Sequence, residues 1–501
     1  MNRFWLLFSV LVLCGCFYGP LLADDSPAKV TVNWTKLTGV SKTHLTLQVV
    51  VNPPLRRGSP IHDRAWNALR DLQADYVRYA FWFPYPKLAV AELDPPSATE
   101  THWDFSLMDP LMQDFFRATA GHSVMMTIST VPQWMFKTES RVAYPADPDR
   151  VAWDYEQGAV PRDPSFKEIA DYYARVASWY TRGGFTDELG QRHESGYHYE
   201  IANWEVLNEP EYEHSIDSES YTRLYDQVVG AVGAVAPQAK FVGMSLAEPS
   251  KSPAFFEYFL DHKNHKADVP LDMISYHFYA VPQPDEAPDV QQFTFFDRAD
   301  HFLDTVRYIE SIRRRLSPET QTDINETGCI SAEDLAQGDP SHVAKPIPNS
   351  YWNLCGAMYA YLFGGLARQG IDVLGASQLL GYPTQFPSVS LLDWNTGKPN
   401  ARYWVIMMLH DNFKPGDLLV DTDAPSPYIF SQGFSGADGK HRILLINKRD
   451  RELEVLLPGA SGASEVHVDQ ATGFDPPAST RLSADRVTLR GYSVMVVTLQ
   501  K

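Results

Sequence analysis

The chain has 501 residues, 44% hydrophobic and 21% charged, a composition that excludes global disorder and leaves room for one large domain and a smaller one. Its formal net charge of -19 argues against a nucleic-acid partner, which rewards clusters of Lys and Arg, and mildly against a polyanionic substrate. Trp, Tyr and Phe are abundant; such rings can stack on the apolar faces of sugars, although most of them fill cores.

The first residues, "MNRFWLLFSVLVLCGCFYGPLLADD", place Arg3 before an apolar run at 4–13 and then small residues. This is the order of a secretory signal, with cleavage expected after Ala23. "LCGC" at 13–16 also fits a lipoprotein box that would lipidate Cys16, so the expectation is a secreted or periplasmic protein, anchored in that second case. No later stretch is apolar and long enough to predict a transmembrane helix. Only Cys329 and Cys355 lie outside the signal, and their spacing fits either one disulfide or two buried thiols. No Cys/His cluster has zinc-site spacing, so neither metal nor cofactor is expected.

From residue 43 strands and helices alternate. "THLTLQVVVN" (43–52), "DYVRYAFWF" (75–83), "HSVMMTIS" (122–129) and "YEIANWEVLN" (199–208) read as strands. "KFVGMS" (240–245), "LDMISYHFY" (271–279), "QTDINET" (321–327) and "IDVLGAS" (371–377) continue the series. Helical periodicity fills the intervals at 61–73, 106–120, 166–183, 219–235, 253–263, 298–316 and 350–369, and an eighth helix follows at 400–413. Eight such units predict a parallel (β/α)8 barrel over 37–414. No Gly-x-Gly-x-x-Gly follows the first strand, so the dinucleotide-binding alternative lacks its fingerprint. After Pro415 short alternating runs such as "RILLINK" and "YSVMVVTLQ" predict an antiparallel β-sandwich over 415–501, to which residues 28–36 could add a strand.

Catalytic groups of such barrels sit at the C-terminal ends of strands. Strand four ends on Glu209, in "NWEVLNEPEY", and strand seven on Glu326, in "TDINETGC"; each Glu directly follows an Asn. Two carboxyl groups facing each other across the barrel mouth are the minimum for glycoside hydrolysis. One protonates the leaving oxygen, and the other attacks the anomeric carbon or activates water. Glu205 lies four residues before Glu209, on the same face but deeper, and reads as a structural acid paired with an Arg. Asp323 comes too early in strand seven and Glu333 too late in the loop. An ionised nucleophile wants a cation nearby, and Arg78 on strand two is the natural one. Tyr276 or Tyr279 could donate to the nucleophile, and His277 could bind substrate.

"WEVLNEP" resembles the Phe-Glu-Ile-Trp-Asn-Glu-Pro stretch of glycoside hydrolase family 39, the β-xylosidase and α-L-iduronidase family. Asn-Glu-Pro after strand four is similar to the mark of the whole clan of retaining (β/α)8 glycosidases. "LDMISYHFY", "INETG", "LLDWNTGKPNARYWV" and the terminal "GYSVMVVTL" resemble later segments of that family. The resemblance implies a retaining enzyme with Glu209 as acid/base and Glu326 as nucleophile. It also implies that Asn208 binds the hydroxyl next to the anomeric carbon. Leu207 stands where the family often has Trp, and the family's Trp after the nucleophile is missing, which leaves the sugar open.

The insertion after strand three carries Trp134, Phe136, Tyr144, Trp153 and Tyr155, and the loop after strand eight carries Tyr382, Phe386 and Trp394. Long loops at this end of a barrel build substrate sites. Trp134, nearest the strand end, is the expected sugar platform. The sequence thus points to a secreted retaining glycosidase acting on a carbohydrate, β-xylosidase-like in its resemblance. An endo-acting glucanase or mannanase of the same clan and a non-catalytic carbohydrate-binding barrel are the alternatives.

Overall fold

The computed structural model describes residues 27–138, 143–155, 158–283, 285–331, 334 and 345–499. The signal-like residues 1–23, with Cys16, lie outside them, as does Glu333. Among the described residues no helix is long and apolar enough to cross a membrane.

Eight parallel strands close into a barrel. In chain order they are His44–Val50, Val77–Ala80, Val124–Ile128, Asn203–Val206, Lys240–Leu246, Met273–Ala280, Gln321–Cys329 and Val373–Ala376. Each pairs with its sequence neighbour, and strand eight closes on strand one through Val373↔His44. Nearly every strand residue is buried, because helices cover the outside and side chains fill the inside. The eight predicted helices are present, from His62–Leu72 to Ala401–Asn412. Two have side-chain caps that satisfy orphan N–H groups: Asp217 accepts from Ser220 and Asn400 from Arg402. A short hairpin, Gly184–Thr186 with Arg192–Glu194, precedes strand four; its polar, glycine-bounded strands have no period-2 pattern to announce them.

The C-terminal part is a β-sandwich. A seven-stranded sheet and a three-stranded one enclose Val30, Ile443, Leu445, Val455, Val487 and Val497. The N-terminal segment enters both sheets: Ala28–Lys29 runs beside Leu453–Leu456, and Thr31–Val40 pairs antiparallel with Leu418–Asp423. The second strand therefore continues past residue 36, and residues 37–40 belong to the sandwich rather than to the barrel. The large sheet's other face packs on the last two barrel helices. Phe434 stacks on Phe363. The Phe430 ring occupies the place a side chain at Gly364 would need, 2.4 Å from an ideal Cβ. Of the two readings for the cysteines, the structure has the disulfide: Cys329 at the end of strand seven is bonded to Cys355 in helix Asn349–Gln369, with Cα atoms 5.9 Å apart.

Candidate active site

Strand four stops because its backbone turns left-handed. Leu207 has φ 60° and Glu209 φ 43°, and on the next strand Met244 and Ser245 have φ 85° and 47°. Such conformations cost non-glycine residues on the order of 1 kcal/mol each and gather where geometry matters more than local comfort. The Glu209 N–H donates to Ser245 O at 2.9 Å, tying the two strand ends together. Pro210 then opens a single helical turn, Pro210–Glu213, where its missing N–H costs nothing.

Strand seven delivers its carboxylate differently. Its register against strand eight slips between Ile324 and Thr327. A bulge of this kind re-aims a side chain, and both Asn325 and Glu326 reach partners inside the barrel, where strict alternation would send one of them outward. Asn325 Nδ2 donates to Glu205 Oε1 at 2.6 Å, and Glu326 meets Arg78 at 2.5 Å. Gly375 on strand eight makes room, since a Cβ there would sit 2.7 Å from Asn325 O.

One oxygen of Glu209, one of Glu326 and a ring nitrogen of His277 lie within 4.8 Å of one another. Arg78 is buried and spends its guanidinium on the site. Nε donates to Glu205 and Thr127, Nη1 to Gln48 and Glu326, and Nη2 to Asn208 and Ser245. The Tyr279 hydroxyl donates to Glu326 Oε2 at 2.5 Å. Its single hydrogen is thereby used, so Ser377 Oγ, 2.6 Å away, donates to it, and Gln48 Nε2 donates to Ser377. Burial opposes ionisation of Glu326, but His277, Arg78 and Tyr279 outweigh it and hold its pKa below the usual glutamate range. Burial likewise works against a charged His277, yet Glu326 and Glu209 raise its pKa above the ordinary histidine value. Glu209 is the more open of the two acids, its side chain 19% exposed against 10% for Glu326, which suits a group that must exchange protons with water.

His277 does not line a surface. Its Nδ1 is 2.8 Å from Glu209 Oε1 and its Nε2 2.9 Å from Ser245 Oγ, so no ring nitrogen is left for a sugar. Its side chain is wholly buried, which leaves the substrate contact suggested by the sequence without a free ring nitrogen. These engagements, with Arg78 held against Glu326, link the three residues of the cluster through hydrogen bonds. Glu205 is fully buried and accepts from Arg78, Thr127, Ser275 and Asn325. Tyr276 points to the outer core, edge-on to Phe256. Asp323 is buried, and burial with the Glu205 charge pushes its carboxyl well above the usual range.

Trp134, the expected sugar platform, is held at its N–H and on one face. Its indole N–H donates to Glu92 O, and Arg162 covers one ring face at 4.7 Å. The ring linked to the cluster is Trp82, whose Nε1 donates at 2.9 Å to Glu213 Oε1, the oxygen that also accepts from Asn208 Nδ2. Trp82 in turn touches Trp153 and Phe386 at centroid distances of 5.5 and 6.0 Å. Sequence reasoning passed over Trp82, Glu213, Gln48, Ser245 and Ser377. Trp82 and Glu213 left a signal, standing a few residues beyond the ends of strands two and four. The other three are ordinary polar residues whose partners are fixed only by barrel closure.

No protein-family model matches the chain, and no curated protein matches its sequence. Solved structures do match. A GH51 arabinofuranosidase from Xanthomonas axonopodis pv. citri superposes with TM-score 0.64 at 12% identity, over 94% of this chain and 100% of that one. A glucosidase from Croceicoccus marinus gives 0.57 at 16% identity, over 95% and 100%. A GH30 endoxylanase from Clostridium papyrosolvens gives 0.54 at 13% identity, over 94% and 100%. The shared property is the fold. Barrel and β-domain together are built as in these clan-A glycoside hydrolases, and the acids at the ends of strands four and seven occupy the mouth of that barrel.

Proposed function

We propose that the chain is a retaining glycoside hydrolase, with Glu326 as nucleophile and Glu209 as acid/base. The observation that carries this is the approach of their carboxyl oxygens to within 4.8 Å, close to the spacing of about 5–5.5 Å in retaining enzymes and too short to hold a water as inverting ones do. In the first step Glu326 attacks the anomeric carbon. The bond to the leaving oxygen breaks as Glu209 protonates that oxygen. In the second step Glu209 takes a proton from water, the water oxygen attacks the same carbon, and Glu326 is released. Arg78 and Tyr279 keep the nucleophile ionised and aimed. Asn208, whose amide is fixed beside Glu209, is the sugar-binding group that the family-39 resemblance implies.

The structural neighbours include an arabinofuranosidase, an endoxylanase and a glucosidase, and a pentose or hexose glycoside fits that company; a β-xylosidase-like activity, which the family-39 resemblance implies, is the reading we favour. Residues 1–23 would direct export. The test is a panel of aryl glycosides covering xylose, arabinose, glucose, galactose, mannose and uronic acids, with NMR of the first-formed sugar. Release of the retained anomer, abolished in Glu326→Ala, is expected. Inertness of the wild-type protein on the whole panel, or first release of the opposite anomer, would overturn the reading.

A further inference from the structure

A third carboxyl group stands beside the pair. Glu213 ends the single helical turn that follows Glu209, and its Oε1 accepts from Trp82 Nε1 at 2.9 Å and from Asn208 Nδ2 at 3.0 Å. Its Oε2 is buried and meets no hydrogen-bond partner among the described residues. The other end of the Asn208 amide is settled by chemistry. Arg78 Nη2 lies 2.7 Å from Asn208 Oδ1, and a guanidinium has donors only, so the carbonyl oxygen must face Arg78. The Asn208 NH2 group must then face Glu213. One of its hydrogens is taken by Oε1, and the second has no protein acceptor among the described residues.

We infer that Glu213 is a positioning residue of the sugar site: through Oε1 it locks the Asn208 amide and the Trp82 indole into one unit, so that the second N–H of Asn208 is held toward a hydroxyl of the glycone. The inference rests on the glycosidase reading above. Burial and the neighbouring Glu209 and Glu326 charges raise the Glu213 pKa far above the usual carboxyl range, which favours its neutral form. That suits its place: an ionised third carboxylate would repel the charge that Glu209 acquires in the first step. A neutral carboxyl with one oxygen accepting two N–H groups is also what a glutamine can imitate.

The experiment uses the aryl glycoside turned over best by the wild-type protein, together with its set of mono-deoxy analogues. On the parent, Glu213→Ala should lower kcat/KM by about 10- to 100-fold, the worth of one oriented hydrogen bond at a reacting sugar. On the one analogue that lacks the hydroxyl read by Asn208, the same substitution should cost less than about threefold, with full losses on the others. Glu213→Gln should recover most of the activity on the parent. Adding Glu213→Ala to Asn208→Ala should cost little more than Asn208→Ala alone. Glu213→Asp, too short to span Trp82 and Asn208 together, should repeat the analogue pattern should the alanine variant fold poorly. A wild-type enzyme that is active while Glu213→Ala and Glu213→Asp lose equally on every analogue would overturn the positioning role and leave the glycosidase reading standing. A wild-type protein inert on all glycosides would overturn both.

Discussion

The proposed division of labour between Glu326 and Glu209 rests on what each touches. Glu326 is held by Arg78 and Tyr279, whereas Glu209 meets His277 and partly open space. Glu326→Ala should therefore lose activity on every substrate by about 10⁴-fold or more, since no covalent intermediate can form. Azide could then attack from the vacated side and give the inverted product. Glu209→Ala should suffer most with poor leaving groups, by about 10²- to 10⁴-fold, while a dinitrophenyl glycoside should still glycosylate Glu326 and azide should speed release with retention. Equal loss on good and poor leaving groups would mean the wrong acid was chosen. The pH dependence follows from the same contacts. Glu326 has a depressed folded pKa, so its contribution to stability is present above the unfolded value and is lost as pH falls through the depressed one. The acid limb of kcat/KM should accordingly lie below the usual glutamate range, and a limb above it would contradict an ionised, arginine-held nucleophile. His277 has the opposite sign: its raised pKa stabilises the fold fully below the unfolded histidine value, and that contribution fades as pH rises through the raised one. Glu205 belongs to this scale as well. Glu205→Leu would strip Arg78 of a buried partner and should lower stability by about 3–5 kcal/mol in denaturant unfolding, whatever it does to turnover.

At the scale of elements, the strands and helices were legible because the barrel repeats one unit eight times and buries both faces of each strand, which writes long apolar runs into the sequence. Glu209 and Glu326 were legible because each interrupts such a run at the same end of the barrel. The bulge at Asn325–Glu326 was not, since it arises from register against strand eight and no local residue pattern marks it. Trp134 is marked by its position after strand three, but which rings stand near the barrel mouth depends on where the inserted loop folds back, with Trp153 Nε1 reaching Thr384 O across 231 residues. The bulge makes a prediction of its own. Gly375→Ala places a methyl group against the Asn325 carbonyl, a backbone atom that cannot swing aside. Either strand eight shifts or the bulge is pressed flat, and Glu326 leaves Arg78 and Tyr279. The variant should fall in kcat by about 10²-fold, as misplacement by about 1 Å does, with a smaller change in KM. Wild-type kinetics in a Gly375→Ala protein would show that the nucleophile's aim does not depend on this bulge.

For the whole molecule, the β-sandwich reads as part of the enzyme's framework and not as an appended module. Thr31–Val40 enters the large sheet as its edge strand before the chain begins the barrel, and Leu418–Asp423, its partner, follows immediately after the last barrel helix. Ser41 and Gly416–Asp417 close the junction with two backbone hydrogen bonds, of 2.9 and 2.8 Å. The chain thus clasps its barrel by pairing the segment that enters it with the segment that leaves. The helix Asn349–Gln369, facing the sandwich, carries residues to match: Phe363 meets Phe434, Gly364 admits Phe430, and Arg368 donates to Gln432 and to Ser431 O. A barrel cut out as residues 41–414 would expose this surface to water, and a chain beginning at residue 41 would leave Leu418–Asp423 as a bare edge, a template for aggregation. The full chain should accordingly unfold in one calorimetric transition, with barrel and sandwich melting together. The 41–414 fragment should be insoluble or lack near-ultraviolet dichroism, and deletion of residues 27–40 alone should lower the melting temperature and cut glycosidase activity without touching either acid. A soluble, active 41–414 fragment with the melting temperature of the whole protein would show instead that the barrel stands alone.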